Sequence, residues 1–218
     1  MGEKLMECSI TSPWVGAWFS SACERSVMGS IIACMPTLVL DPRWPDMVPL
    51  TIALHITGPV EYTPEVPEHA RAWPHKQGAE WIVTTEDRDG IRVPSLEDPV
   101  YQAVQTMHAA RTRGEWEQAM THETLIPYLL EESQELAEEI INPTSEANLR
   151  KELADVLLQV LFHAEIAAER GAFTFDDVAE AFVTKMRQRA PYLFDGSTGI
   201  IPTAEQDRLW QEGKRKER

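Results

Sequence analysis

Beyond Cys34 the chain contains no cysteine: its three, Cys8, Cys23 and Cys34, all fall near the start. That excludes a disulfide framework or a cysteine zinc site from the rest of the protein, and a reducing cytoplasm is the compartment that fits. Basic residues are also scarce. Lys and Arg number 20 against 35 Asp and Glu, a formal charge of −15, which argues against nucleic acid or an anionic membrane as a partner, since either needs clustered cations. Long apolar runs are missing too. The stretch 14–23 is broken by Ser20 and Ser21, is too short to span a bilayer, and follows only one lysine, Lys4, which makes it a poor signal peptide. Otherwise, 43% hydrophobic and 25% charged residues are an ordinary globular composition.

The most telling absence is local. From Glu117 to Glu139 there are seven glutamates and no Lys or Arg. They include Glu131-Glu132-Ser133-Gln134-Glu135, and Glu152-Leu153-Ala154-Asp155 follows further on. A solvated acidic helix face would account for such a run. Its position suggests more. If 121–141 is helical, Leu125, Leu129, Leu136 and Ile140 form an apolar seam, with Glu132, Glu135 and Glu139 striped beside it. In the second segment Leu149, Leu153, Val156, Leu157, Val160, Leu161 and Ala164 make a broad apolar face, with Glu152 and Asp155 one turn apart at its edge. Packing the two faces together would bring four or five carboxylates into one place. Such a cluster repels itself unless a cation or protons intervene. An all-oxygen set suits a hard divalent ion, and Mg²⁺ above all when phosphates complete its shell. A di-iron bundle would show Glu-x-x-His pairs. None of the six histidines has a Glu three residues before it, which favours Mg²⁺, or Mn²⁺ in its place, over iron.

The pattern along the chain predicts three regions. Residues 1–35 are read as an extension, disordered or translated from an upstream start. Residues 36–95 read as a small β-containing region, with short apolar runs at Thr37–Leu40, Leu50–Ile56 and Trp81–Val83 broken by Pro and Gly, and with Thr84–Asp98 as a linker. From 96 to 218 the chain reads as about five helices. The first runs from Pro99 to Arg113. The second starts at a Thr121 cap or, because of Pro127, later near Ile126, and ends at Asn142-Pro143. Ser145 caps the third, which Gly171 ends; Thr174 caps the fourth, with Asp176 and Asp177 in its first turn; the fifth covers 203–216. No internal repeat is visible.

Several motifs occur in a fixed order: Trp116 with Thr121-His122-Glu123-Thr124-Leu125, Tyr128-Leu129-Leu130-Glu131-Glu132, Glu152-Leu153-Ala154-Asp155, Leu157 to Ala164, Lys185-x-x-x-Arg189-x-Pro191-x-x-Phe194, then Trp210 and Lys214. Together they resemble the MazG family of nucleoside triphosphate pyrophosphohydrolases over residues 98–218. The resemblance implies a mainly α protein whose all-α helical bundle assembles by homodimerisation. It also implies Mg²⁺-dependent hydrolysis of a nucleoside triphosphate to the monophosphate and pyrophosphate. Carried over, Glu132, Glu135, Glu152 and Asp155 are the metal ligands, and Glu131 orients or deprotonates the attacking water. Lys185 and Arg189 become phosphate ligands, although compensation of a helix C-terminus would equally explain two cations there. Trp210 and Lys214 become a base platform and a charge near the phosphates, against the plainer role of an amphipathic tail. Tyr128, Trp116 and His122 fall on the substrate side, while His163 reads as a core residue.

The chain departs from the family pattern at Gly114-Glu115, Met120, Ala154, Ala190, Tyr192 and Leu193, none of them an implied metal ligand. The changes at Ala190 and Tyr192 remove two imidazoles near the phosphate-binding helix, so base preference is open. A narrower pyrophosphohydrolase for a deoxynucleotide or phosphoribosyl-ATP, and a non-catalytic helical dimerisation module with a vestigial site, are the alternatives.

Overall fold

The computed structural model describes residues 36–216; the extension read at 1–35 lies outside the described residues. The chain divides into two compact units, Met1–Asp98 and Pro99–Arg218.

The first unit is built on a four-stranded parallel sheet of order β2-β3-β1-β4, from β1 (Thr37–Val39), β2 (Val60–Tyr62), β3 (Trp81–Thr84) and β4 (Ile91–Arg92). Leu38 lies between Val83 of β3 and Ile91 of β4. Parallel strands need crossovers. Two of these are long, one carrying the short helix α1 (Leu50–Ala53) and the other a 3-10 turn at Glu68–Ala70. The third, residues 85–90, is tight and passes β1 so closely that a Cβ on Gly90 would meet the Thr37 carbonyl oxygen at 2.5 Å. Only glycine fits that approach. Leu38, Val39, Leu40, Val60, Val66, Val83 and Val93 form the buried interior. Glu65 ties the strand ends together: its Oε1 accepts from both the Thr63 and Thr84 hydroxyls.

Two expectations for this unit need correction. Leu50–Ala53 is helical rather than extended, because a short apolar run carries no period that separates helix from strand. Thr84–Asp98 is not a linker. It contains β4 and a 3-10 turn (Pro94–Glu97), and Val93 and Leu96 are buried. A two-residue strand is too short to show alternation in the sequence.

The second unit is helical throughout: α2 (Pro99–Arg113), α3 (Glu115–Ala119), α4 (Ile126–Ile141), α5 (Glu146–Glu169), α6 (Phe175–Arg189) and α7 (Thr203–Lys216). With α3, its described residues form six α-helices where about five were expected. The protein is thus mainly α with a small parallel sheet. Among the described residues, no helix is long and apolar enough to cross a membrane.

Local signals set the helix ends. Pro127 sits in the first turn of α4, where its missing N–H costs nothing, and Thr121 and Thr124 close the preceding turn on each other through reciprocal backbone-to-hydroxyl bonds. Ser145 accepts from the Asn148 N–H at 3.1 Å to start α5, and Thr174 with Asp177 forms a complete capping box on α6. Gly171, at φ 67°, follows the end of α5.

The core of this unit gathers Met107 of α2, Leu125 before α4, and Leu161, Phe162 and Ile166 of α5. Arg111 crosses it, 7% exposed, donating to both Glu169 carboxylate oxygens and to the carbonyls of Glu117 and Met120. Within the single chain, much of the expected apolar face of α5 is not covered: Leu153, Leu157 and Val160 are exposed, as are the adjoining Leu158, and Leu130, Ile140 and Ile141 of α4. At the far end, α7 packs against α6 so closely that a Cβ on Gly213 would meet the Gln188 carbonyl oxygen at 2.7 Å.

Candidate metal centre

Helices α4 and α5 form a hairpin, and Glu139 latches its turn. The Glu139 carboxylate accepts the Thr144 N–H at 2.7 Å, the Ser145 N–H at 3.2 Å and the Thr144 hydroxyl at 2.9 Å. The Thr144 N–H, foremost among these donors, holds the Glu139 carboxyl below its ordinary value. Glu139 is therefore committed to the turn, although helical spacing placed it in the acidic stripe.

The latch sets the register in which the two acidic segments face each other. One carboxylate oxygen each from Glu132, Glu135 and Glu152 lies within 4.8 Å of the others. Glu132 and Glu152 are partly buried, whereas Glu131 and Glu135 are exposed. The Glu132 carboxyl is pushed up, first by burial and then by the charges of Asp155, Glu135 and Glu131. Among the described residues two buried side-chain atoms have no partner, Glu152 Oε2 and Gln159 Oε1, and both belong to α5.

Asp155 lies outside this trio but near enough for its charge to act on Glu132. Lys151 Nζ donates to Asp155 Oδ2 at 3.0 Å and to Glu152 Oε1 at 3.0 Å. The acid-only run in 117–139 thus has a cation opposite it, supplied by the other helix. Reading α4 alone missed it, although the i, i+4 spacing of Lys151 and Asp155 was visible in the sequence.

The chemistry of the donor set fits a hard divalent ion. All donors are carboxylate oxygens, no thiol or imidazole is among them, and a buried Glu152 oxygen lacks a partner. The ligands would be Glu132, Glu135 and Glu152, joined by Asp155 if Lys151 releases it.

The remaining candidates form smaller groups. The Trp116 ring meets Tyr128 edge-on at 5.6 Å and Phe162 at 6.0 Å. His122 stacks on His163, with their Nδ1 atoms 2.8 Å apart, and its Nε2 lies 3.0 Å from Arg170 Nη2. The guanidinium requires a bare Nε2, so the neutral His122 carries its proton on Nδ1 and donates it to His163. Burial, with the neighbouring His122, pushes His163 down. The Arg189 guanidinium lies 5.1 Å from the Trp210 ring centre, joining α6 to α7. Lys185 and Lys214 are both exposed, and neither has an ion pair with the acidic group among the described residues. Arg111 is not singled out by the sequence, and Glu139 reads there as part of the acidic stripe rather than as the latch of a turn. A buried arginine between helices leaves no motif.

Two family models match the chain. The model of the MazG nucleotide pyrophosphohydrolase domain matches residues 120–194, and that of the MazG N-terminal domain matches residues 35–105. A "Nucleoside triphosphate pyrophosphohydrolase" of Mycolicibacterium smegmatis is 35% identical over 84% of this chain. This chain spans 63% of that relative's length. A "Nucleoside triphosphate pyrophosphohydrolase/pyrophosphatase MazG" of Thermotoga maritima is 47% identical over 47% of this chain and 40% of its own length. The crystal structure of a mazG-related protein from Thermotoga maritima overlays 52% of this chain and 97% of that chain, with a TM-score of 0.47 and 24% identity. With MazG domains matched in both halves, the chain belongs to the MazG family.

Proposed function

We propose that this chain hydrolyses nucleoside triphosphates to the monophosphate and pyrophosphate, with Mg²⁺ as cofactor and Mn²⁺ as a substitute. The observation that carries the reading is the trio Glu132, Glu135 and Glu152, drawn from facing helices to within 4.8 Å, with a buried Glu152 oxygen left unpartnered. The activity named for the mycobacterial relative supports it. The catalytic domain is taken as 96–218, with 36–95 as a separate N-terminal region.

When bound, the divalent ion would neutralise phosphate charge and lower the pKa of a water molecule. Glu132, Glu135, Glu152 and Asp155 would hold it. Glu131, exposed beside Glu132, orients a water toward the α-phosphorus and accepts its proton as the α–β bridging bond breaks. Lys185 and Arg189 bind phosphate oxygens. Trp116, Tyr128 and His122 line the base side, with Trp210 and Lys214 at the end of the site. The Trp116 and Tyr128 edge contact presents aromatic surface of the kind a base stacks on.

The protein works as a homodimer in this reading. Leu130 is 65% exposed and Leu153 52%, and a second copy of the helical unit would cover the α4 and α5 faces they belong to. A cytoplasmic enzyme that removes unwanted or modified nucleotides accounts for the chemistry and for the cysteine distribution. Purified protein with Mg²⁺ is expected to release monophosphate and pyrophosphate from at least one member of a panel of standard, deoxy- and modified triphosphates. Failure with every nucleotide would refute the enzyme reading. A single accepted deoxynucleotide, or phosphoribosyl-ATP alone, would point to the narrower enzyme. A monomeric mass at micromolar concentration by light scattering would refute the dimer.

A further inference from the structure

Lys151 stands where a metal ion would have to act. Its ammonium lies 3.0 Å from Glu152 Oε1 and 3.0 Å from Asp155 Oδ2, two carboxylates of the proposed ligand set. The three carboxylates that do converge are Glu132, Glu135 and Glu152, and Asp155 is not among them. We propose that Lys151 is an internal counter-ion that holds Glu152 and Asp155 until a divalent ion displaces it, and thereby sets the metal affinity of the site. This rests on the metal-site reading above.

Several observations make the ammonium displaceable. The Lys151 side chain is 62% exposed, so its stem can turn into solvent without leaving a hole. Exposed ion pairs are individually weak. Along a helix the favoured i, i+4 order places the acid before the base, and Lys151 before Asp155 is the reverse. No Lys or Arg from Glu117 to Glu139 can take over the role from α4. The site faces Glu131, Glu132 and Glu135 from α4 and Glu152 and Asp155 from α5, against Lys151 alone among the groups contacting the two α5 acids. A divalent ion brings twice the charge of the ammonium and accepts lone pairs from several carboxylates at once, so it wins the competition. The displacement frees the Asp155 oxygen to join the other three ligands.

Binding of Mn²⁺ alone, without nucleotide, tests this. Free Mn²⁺ is measured by electron paramagnetic resonance for wild type, Lys151→Met, Arg150→Met and Glu152→Gln. Lys151→Met keeps the aliphatic stem and removes the competitor, so it should bind Mn²⁺ about three- to tenfold tighter, the scale of one or two exposed ion pairs. Its heat stability without metal should fall, and the rise in Tm on adding Mn²⁺ should exceed that of wild type. Arg150→Met changes the net charge equally on the neighbouring position and should stay within about twofold of wild type, because Arg150 is exposed and makes no ion pair with the acidic group among the described residues. The proposal is overturned if Lys151→Met leaves the affinity unchanged or weakens it, or if Arg150→Met tightens it as much. If wild type binds Mn²⁺ and Glu152→Gln does not, either of those results sinks the Lys151 role alone. If neither wild type nor Lys151→Met binds Mn²⁺, the metal-site reading falls and this one with it.

Discussion

Removing Arg111 should loosen the helical unit without touching a proposed ligand. The guanidinium is 7% exposed and joins three elements: it projects from α2, pairs with Glu169 at the end of α5, and donates to the Glu117 and Met120 carbonyls around the end of α3. In Arg111→Met, Glu169 loses its partner and two carbonyls lose a charged donor. Breaking a buried ion pair costs about 3–5 kcal/mol. Glu169 is 38% exposed, so solvent screens part of that loss. Adding a net contribution of about 1 kcal/mol for the carbonyl bonds, the expected loss is about 3 kcal/mol. With a urea slope of about 2 kcal/mol/M, the midpoint of the helical transition should fall by about 1.5 M, followed by far-UV circular dichroism. Glu169→Gln should cost less, because it removes charge but keeps an acceptor.

The same pair carries a pH dependence. Hydrogen bonding from Arg111, ahead of the opposing effect of burial, holds the Glu169 carboxyl below its ordinary value. A carboxylate lowered by folding contributes stability above its unfolded pKa and loses it as pH falls through the folded one. The difference between wild type and Glu169→Gln should therefore be full at neutral pH and shrink in acid. A loss below about 1 kcal/mol in Arg111→Met would refute the reasoning, since the central helix clamp would then contribute no more than an ordinary surface contact.

Other substitutions probe the remaining levels of the argument. Glu152→Gln should reduce kcat/KM by about a hundredfold or more while leaving the circular dichroism spectrum unchanged, as expected when a group acting on the developing charge is lost; near-wild-type activity would remove Glu152 from the ligand set. Gly213→Ala gains about 1 kcal/mol of helix propensity, but its Cβ would lie 2.7 Å from the Gln188 carbonyl oxygen and 2.9 Å from Arg189 Cα. Overpacking costs about 1–3 kcal/mol, so net destabilisation, with a shift in Trp emission as Trp210 leaves Arg189, is expected; stabilisation would show that α7 does not dock this closely. In the first unit burial pushes Glu65 up, but the Thr63 and Thr84 hydroxyls outweigh it and hold the carboxyl at about 2. The stability advantage of wild type over Glu65→Gln should be present above the ordinary carboxylate range and vanish as pH falls toward 2, read by urea unfolding across that range. A difference independent of pH would show that ionised Glu65 is not what joins the strand ends.

The sequence by itself determined the helical half almost completely. Its signals are local: Ser145 and Thr174 cap because a hydroxyl reaches an N–H three residues on, Gly171 ends α5, and Pro127 is tolerated only near a helix start. The acidic motifs were legible for the same reason, since i, i+3 spacing puts Glu132 and Glu135 on one face whatever surrounds them. The parallel sheet was only partly legible. Its pairings join Leu38 to Val83 and Ile91, residues far apart in the chain, through strands too short to carry a period. What the acids do with each other was decided in three dimensions alone. Helical spacing treats Glu139, Glu135 and Asp155 as equivalent members of a charged edge. The turn between α4 and α5 takes Glu139 for its own N–H groups, Lys151 bridges Asp155 and Glu152, and the three carboxylates that converge are Glu132, Glu135 and Glu152. Spacing specifies which way a side chain points, but its partner depends on what the neighbouring helix presents within hydrogen-bonding distance.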